Sequence, residues 1–162
     1  MIYSNMDKTK ELLYCIIKQH KVATITVLMK LSYIIDLVSK KQTGQKISNF
    51  SYKRYFYGPF DSSIYSIVEK MQNQDLISAE LIFSEDKLSC YAVYKAKKSY
   101  TLQCLTQPEK DIINEVLTEL KDYSAKTLTE ITYKTKPMEV LGATLGGTEH
   151  LNEDLNLDTT NE

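Results

Sequence analysis

The apolar positions of the chain fall first into two helical stripes. Leu12, Leu13, Ile16 and Ile17 repeat at the three-to-four spacing of one helix face and predict a helix over 7–20, with Asp7 as N-cap. Val27, Leu28, Leu31, Ile34, Ile35 and Val38 form a broader stripe and predict a second helix over 24–41, closed by Gly44. Residues 47–57 change character. Phe50, Tyr52, Arg54 and Phe56 share one parity, and Lys53, Tyr55 and Tyr57 share the other. This β-branched and aromatic alternation predicts an extended strand or strand-like loop. Alternation of this kind puts one parity outward, and the reading places Tyr55 and Tyr57 there. Gly58-Pro59 then breaks the chain. Asp61 is read as the cap of a third helix that turns Ile64, Ile67, Val68 and Met71 to one side.

Two strand-like runs follow, at 76–83 and 88–94, with the polar Ser84-Glu85-Asp86-Lys87 between them as a hairpin loop. A helix followed by such a hairpin is the pattern of a winged helix. Thr106-Gln107-Pro108-Glu109 is a helix start: Thr106 caps, Glu109 completes a capping box, and Pro108 occupies the first turn, where its missing N–H is not needed. Ser124 opens a short helix with Leu128 and Ile131 inward, and Pro137 opens a last helix to about 145. The fold class expected is α+β, mainly α: a helical domain over 1–145 with a small antiparallel β-hairpin as a winged-helix-like element. Residues 146–162 begin with Gly146-Gly147 and are polar and acidic. They are expected to be a disordered tail, because they bury too little apolar surface to offset chain entropy.

Composition sharpens this picture in a few places. A chain of 162 residues, 43% hydrophobic and 25% charged, suits one domain with a real core. The formal net charge is -1, but it is unevenly spread. The tail holds Glu149, Glu153, Asp154, Asp158 and Glu162 and no Lys or Arg, which leaves 16 acids against 20 bases in the body. That asymmetry suits an electrostatic partner without naming one. No window approaches the roughly 20 apolar residues of a membrane span. No basic segment followed by an apolar stretch opens the chain, so a cytoplasmic location without membrane contact is expected. Cys15, Cys90 and Cys104 lie far apart, form no C-x-x-C pair, and are read as buried free thiols.

Chemistry is sparse. His20 and His150 are the only histidines; His20 lies at a helix end and His150 in the tail, with no obvious Cys or carboxylate partner at metal-ligand spacing. No dinucleotide, P-loop, zinc-protease or nucleophile-elbow pattern occurs. The pair Glu85-Asp86 sits in a predicted turn and is read as solvated. No metal, no cofactor and no catalysis are therefore expected. Two features remain. Lys40, Lys41, Lys46, Lys53 and Arg54 are interleaved with Phe50, Tyr52, Tyr55, Phe56 and Tyr57. Such a pattern serves single-stranded nucleic acid by stacking and phosphate contact, or a protein interface, or simply a core. The run Lys95, Lys97 and Lys98 reads as a solvated face.

Three motifs in order carry a resemblance. Met29-Lys30-Leu31-Ser32-Tyr33-Ile34-Ile35-Asp36 lies on the second helix. Tyr57-Gly58-Pro59-Phe60 leads to Ser63-Ile64-Tyr65. Ser124-Ala125, Leu128, Thr132 and Pro137 follow near the C-terminal end. Over 12–141 the chain resembles the Panacea domain, the SocA-like antitoxin domain. It departs where Tyr133 stands for the family's usual histidine and Met138 for a frequent tryptophan. The resemblance implies an antitoxin-like, non-enzymatic module that neutralises a protein toxin encoded nearby by direct contact. One branch of the family acts as a proteolytic adaptor that delivers its toxin to the ClpXP protease, and members often occur in mobile or phage-related DNA. The partner-binding residues expected are Tyr52, Arg54, Tyr55, Tyr57, Gly58, Pro59, Phe60 and Tyr65. The alternative reading is a nucleic-acid-binding regulator of winged-helix type, resting on the helix–hairpin order and the positive body.

Overall fold

A computed structural model describes residues 5–97 and 99–160. Its organising element is α2. Helix α1 spans Asn5–Gln19, and α2 spans Ile25–Thr43. Helix α2 buries residues on almost every side, from Val27 to Ser39, because its apolar stripe is wide and neighbours cover it all round. Thr24 caps it by accepting from Val27 N, and Gly44 ends it in the left-handed conformation. Strand β1, Lys53–Tyr55, pairs antiparallel with β2, Gly58–Phe60. Helix α3, Ile64–Asn73, leads into β3, Ile77–Phe83, and β4, Cys90–Ala96, the second antiparallel hairpin. Three helices complete the body: α4 at Gln107–Leu120, α5 at Ala125–Tyr133 and α6 at Lys136–Leu141. The result is the mainly α, α+β architecture expected, with two small hairpins rather than one.

The local signals act as their chemistry requires. Thr106 and Glu109 form the reciprocal capping box of α4. Ser124 caps α5 by accepting from Thr127 N. Asp61 stands two residues before the N-cap of α3, Ser63, and its carboxylate accepts from Ser63 N and Ser51 N, so it pins the loop and not the helix end. Helix α6 stops at Leu141, short of the expected end, because Gly142 takes the left-handed cap. Asp7 lies inside the first turn of α1, where a negative charge suits the helix dipole.

Two buried carboxylates fasten long loops to the helical core. Asp36 on α2 accepts from Ile47 N, Ser48 N, the Ser48 hydroxyl and the Tyr52 hydroxyl. Glu11 on α1 accepts from Gln103 N, Cys104 N, Leu105 N and the Tyr100 hydroxyl. Burial pushes the Glu11 pKa up, but these donors outweigh it and hold it below its ordinary value. Cys15 is buried and its thiol is pushed up to about 11, chiefly by burial. Cys90 is exposed at the start of β4, which corrects the expectation that all three thiols are buried.

The largest correction concerns the tail. Residues 146–158 fold back along β1. Arg54 N donates to Glu153 O, Asn152 N donates to Arg54 O, and Leu155 N donates to Tyr52 O. Leu155 and Leu157 are buried in the common core, and a 3-10 helix, Leu157–Thr160, lies against α2. Lys40 pairs with Asp158 and Lys53 with Asp154. The segment is ordered because the body supplies what its own composition lacks: an apolar floor, backbone partners at the β1 edge, and positive charge. Glu162 of the tail and Lys98 of the lysine run lie outside the described residues. No helix among the described residues is long and apolar enough to cross a membrane.

Candidate functional site

The first hairpin is where the three sequence motifs meet. Its turn is Phe56-Tyr57, and the left-handed residue is Gly58, at φ +101. Glycine is favoured there on two counts. The conformation disfavours a side chain, and a Cβ would stand 3.0 Å from the Thr132 hydroxyl. The next carbonyl, that of Pro59, accepts 2.9 Å from Lys30 Nζ. From the other side the Tyr133 hydroxyl donates to Phe56 O at 3.3 Å. Lys30, Gly58-Pro59 and Thr132-Tyr133 are separated by dozens of residues in the chain, yet together they clamp one turn. The histidine-to-tyrosine departure therefore falls on the clamp itself.

Arg54, centred in β1, is fully buried, which corrects its expected place at the partner surface. Its guanidinium donates to Tyr55 O, Thr144 O and Gly147 O and lies 5.5 Å from the Tyr133 ring centroid. Among the described residues its Nε has no hydrogen-bond partner. Arg54 thus joins the hairpin, α5 and the C-terminal segment from within. Tyr52 is likewise buried, edge-on to Tyr33 and donating to Asp36, so it too belongs to the interior. Its hydroxyl proton is held well above the ordinary value by burial and by the Asp36 charge. Gly58 and Pro59 are buried as well and shape the turn without presenting themselves.

The other expected residues come together at the surface. Tyr55, Phe56, Tyr57 and Tyr65 are 40%, 57%, 72% and 57% exposed, an unusual density of uncovered rings for one short segment. Phe60 is half-buried between Tyr55 and Tyr65, with ring centroids 5.2 and 5.9 Å away. Parity fails only at Phe56, which shares the inward register of Phe50 and Tyr52 but lies in the turn. The rings line a groove of about 440 Å³, whose wall includes Ile25 and Thr26 from the first turn of α2 and whose buried margin includes Lys30. Lys30 is the residue that periodicity alone did not nominate: it is polar and sits within an apolar helix stripe, and only the motif match marked it.

Two other polar clusters have structural partners. His20 Nδ1 accepts from Val22 N, so Nε2 carries the hydrogen donated to Tyr123 O, and the ring ties α1 to the start of α5. Glu85 and Asp86 sit in the turn of the second hairpin, where Asp86 accepts from the Ser84 hydroxyl and Leu88 N, and these bonds hold its carboxyl below the ordinary range.

Fold and site define a mainly helical α+β domain that presents a clamped aromatic hairpin beside a buried lysine. The family described as antitoxin SocA-like, Panacea domain, matches residues 28–137, a span that holds all three motifs and both hairpins. The chain belongs to this family. No curated protein and no solved structure matches it.

Proposed function

We propose that this chain is an antitoxin that neutralises a protein toxin by direct, non-catalytic contact through the rings of Tyr55, Phe56, Tyr57 and Tyr65. The observation that supports this most is the exposure of Tyr55, Phe56 and Tyr57 at a turn clamped from both sides, with the exposed ring of Tyr65 on α3 lining the same groove. Aromatic anchors on a pre-organised turn bring large contact area at little entropic cost. Family membership supports a protein toxin as the class of partner. The test is co-expression with the neighbouring open reading frame. Relief of toxicity and a co-purifying complex are expected, and Tyr57→Ala should weaken both while leaving the melting temperature nearly unchanged. A chain that relieves no toxicity and captures no complex refutes the proposal. A large fall in melting temperature for Tyr57→Ala refutes the assignment of that ring to the surface. Toxin half-life in cells with and without ClpXP separates blocking from delivery to the protease. Glu85 and Asp86, beside a single Lys87, leave the tip of the second hairpin without an excess of positive charge, which weighs against phosphate contact at that tip.

A further inference from the structure

We infer that the aromatic groove recognises a carboxylate: an aspartate or glutamate side chain of the bound protein, seated on Lys30, with its apolar neighbours against Tyr55, Phe56, Tyr57 and Phe60. The inference rests on the groove being the partner surface, and it names the chemistry that surface selects.

Lys30 is only 2% exposed, yet it lines the groove. One of its three N–H donors goes to the Pro59 carbonyl. Among the described residues no carboxylate forms an ion pair with it. Asp61, the acid next to Phe60 in the chain, is committed to the backbone of Ser51 and Ser63. A buried ammonium held by a carbonyl alone is an uncommon arrangement, because buried charges are normally paired. The first turn of α2 adds to the same potential, since a helix N-terminus is the positive end of the dipole and Ile25 and Thr26 stand in the groove wall. Burial also lowers the Lys30 pKa to about 8, and an incoming carboxylate would restore the proton's hold. The groove volume lies in the range of preformed ligand pockets, ~300–1,000 Å³. An acidic residue flanked by apolar ones fits both the rings and the cation.

The test is a titration of the full chain, followed by amide chemical shifts, with three peptides: acetyl-Leu-Glu-Leu-amide, its Gln counterpart, and acetyl-Leu-Leu with a free C-terminus. The Glu peptide should shift the amides of Lys30, Gly58 and Phe60 and bind about tenfold more tightly than the Gln peptide, the scale of one charge-assisted hydrogen bond. Lys30→Met should abolish that preference. Equal binding of the Glu and Gln peptides, or no shift with any peptide at millimolar concentration, overturns the inference. So does a preference that survives Lys30→Met. Binding of the free-acid peptide alone overturns the side-chain assignment in favour of a chain end. The comparison of peptides on the unaltered chain needs no variant to fold. A chain that relieves toxicity but does not distinguish the peptides refutes the carboxylate and leaves the antitoxin reading standing. Peptide discrimination without relief of toxicity does the reverse.

Discussion

Lys30→Met should change stability in a way that reverses with pH. Burial lowers the Lys30 pKa from 10.5 to about 8. At about 1.4 kcal/mol per pH unit, the charged amine therefore costs the folded state about 3 kcal/mol at pH 7. The sign follows from which state holds the proton. Below pH 8 both states are protonated, and the native state carries the whole penalty. Between 8 and 10.5 the native lysine is neutral while the unfolded one is still charged, so stability rises with pH. Above 10.5 the penalty is gone. Methionine has similar length and no charge, so the variant escapes this cost. It also leaves the Pro59 carbonyl without its donor, a loss of about 1–3 kcal/mol. The variant should thus be more stable than the parent by about 0–2 kcal/mol at pH 7 and less stable at pH 10, a change in the difference of about 2–3 kcal/mol. Urea denaturation of both proteins at the two pH values measures this. Tyr33, Tyr52, Tyr100, Cys15 and Cys104 also have raised pKa values and erode stability at high pH, but they are common to both proteins and cancel in the difference. A difference that stays flat from pH 7 to 10 would show that Lys30 is not held as a buried, unpaired cation. The same flat result would remove the reason for expecting an acidic ligand. A stabilised but binding-deficient variant is the signature of a residue kept for function against stability.

Three further substitutions test the framework around the site. Glu11→Gln removes the charge that three backbone N–H groups and Tyr100 address. It should lower the unfolding free energy by about 2 kcal/mol at pH 7. Because the Glu11 pKa is depressed in the folded state, its contribution is present above pH 4.5 and lost as pH falls through the folded value. The parent and variant curves should therefore converge in acid, and curves that stay parallel would contradict the assignment. Leu155→Ala should loosen the C-terminal segment, with a loss of up to about 2–3 kcal/mol. Faster hydrogen exchange at Arg54 N and Leu155 N, without matching change at α4 amides, is the readout. Gly58→Ala should lower stability by about 1–3 kcal/mol, from the left-handed backbone and the contact with Thr132, as read by thermal melting.

What could be read from the chain depended on how far each residue's partner lay from it. Caps and breaks need only neighbours, so Thr24, Gly44, the Thr106–Glu109 box and Ser124 all act where periodicity and chemistry put them. Parity in the aromatic stretch correctly separated Phe50, Tyr52 and Arg54 from Tyr55 and Tyr57, and it failed at Phe56 because a turn suspends the alternation on which it relies. Arg54 shows the limit more sharply. A guanidinium on the inward parity makes little sense until Thr144 and Gly147, about ninety residues away, supply carbonyls. The tail looked disordered for the same reason, since a composition window counts its own two buried leucines and not Lys40, Lys53 or the β1 edge that receive it. The uneven charge was its one legible trace: a segment with five acids and a body in excess of base attract, and the structure brings them together at two ion pairs. Those pairs are exposed and worth about 0–1 kcal/mol each, screened by salt. They set where the segment lies, whereas Leu155, Leu157 and the Arg54 bonds hold it there. The groove over Lys30 differs in this respect. Among the described residues, nothing in the chain brings an acid to that cation, although the chain has acids enough to satisfy another basic face. A positive charge that intramolecular folding leaves uncompensated, at the margin of an aromatic surface, is complementary to something outside the chain.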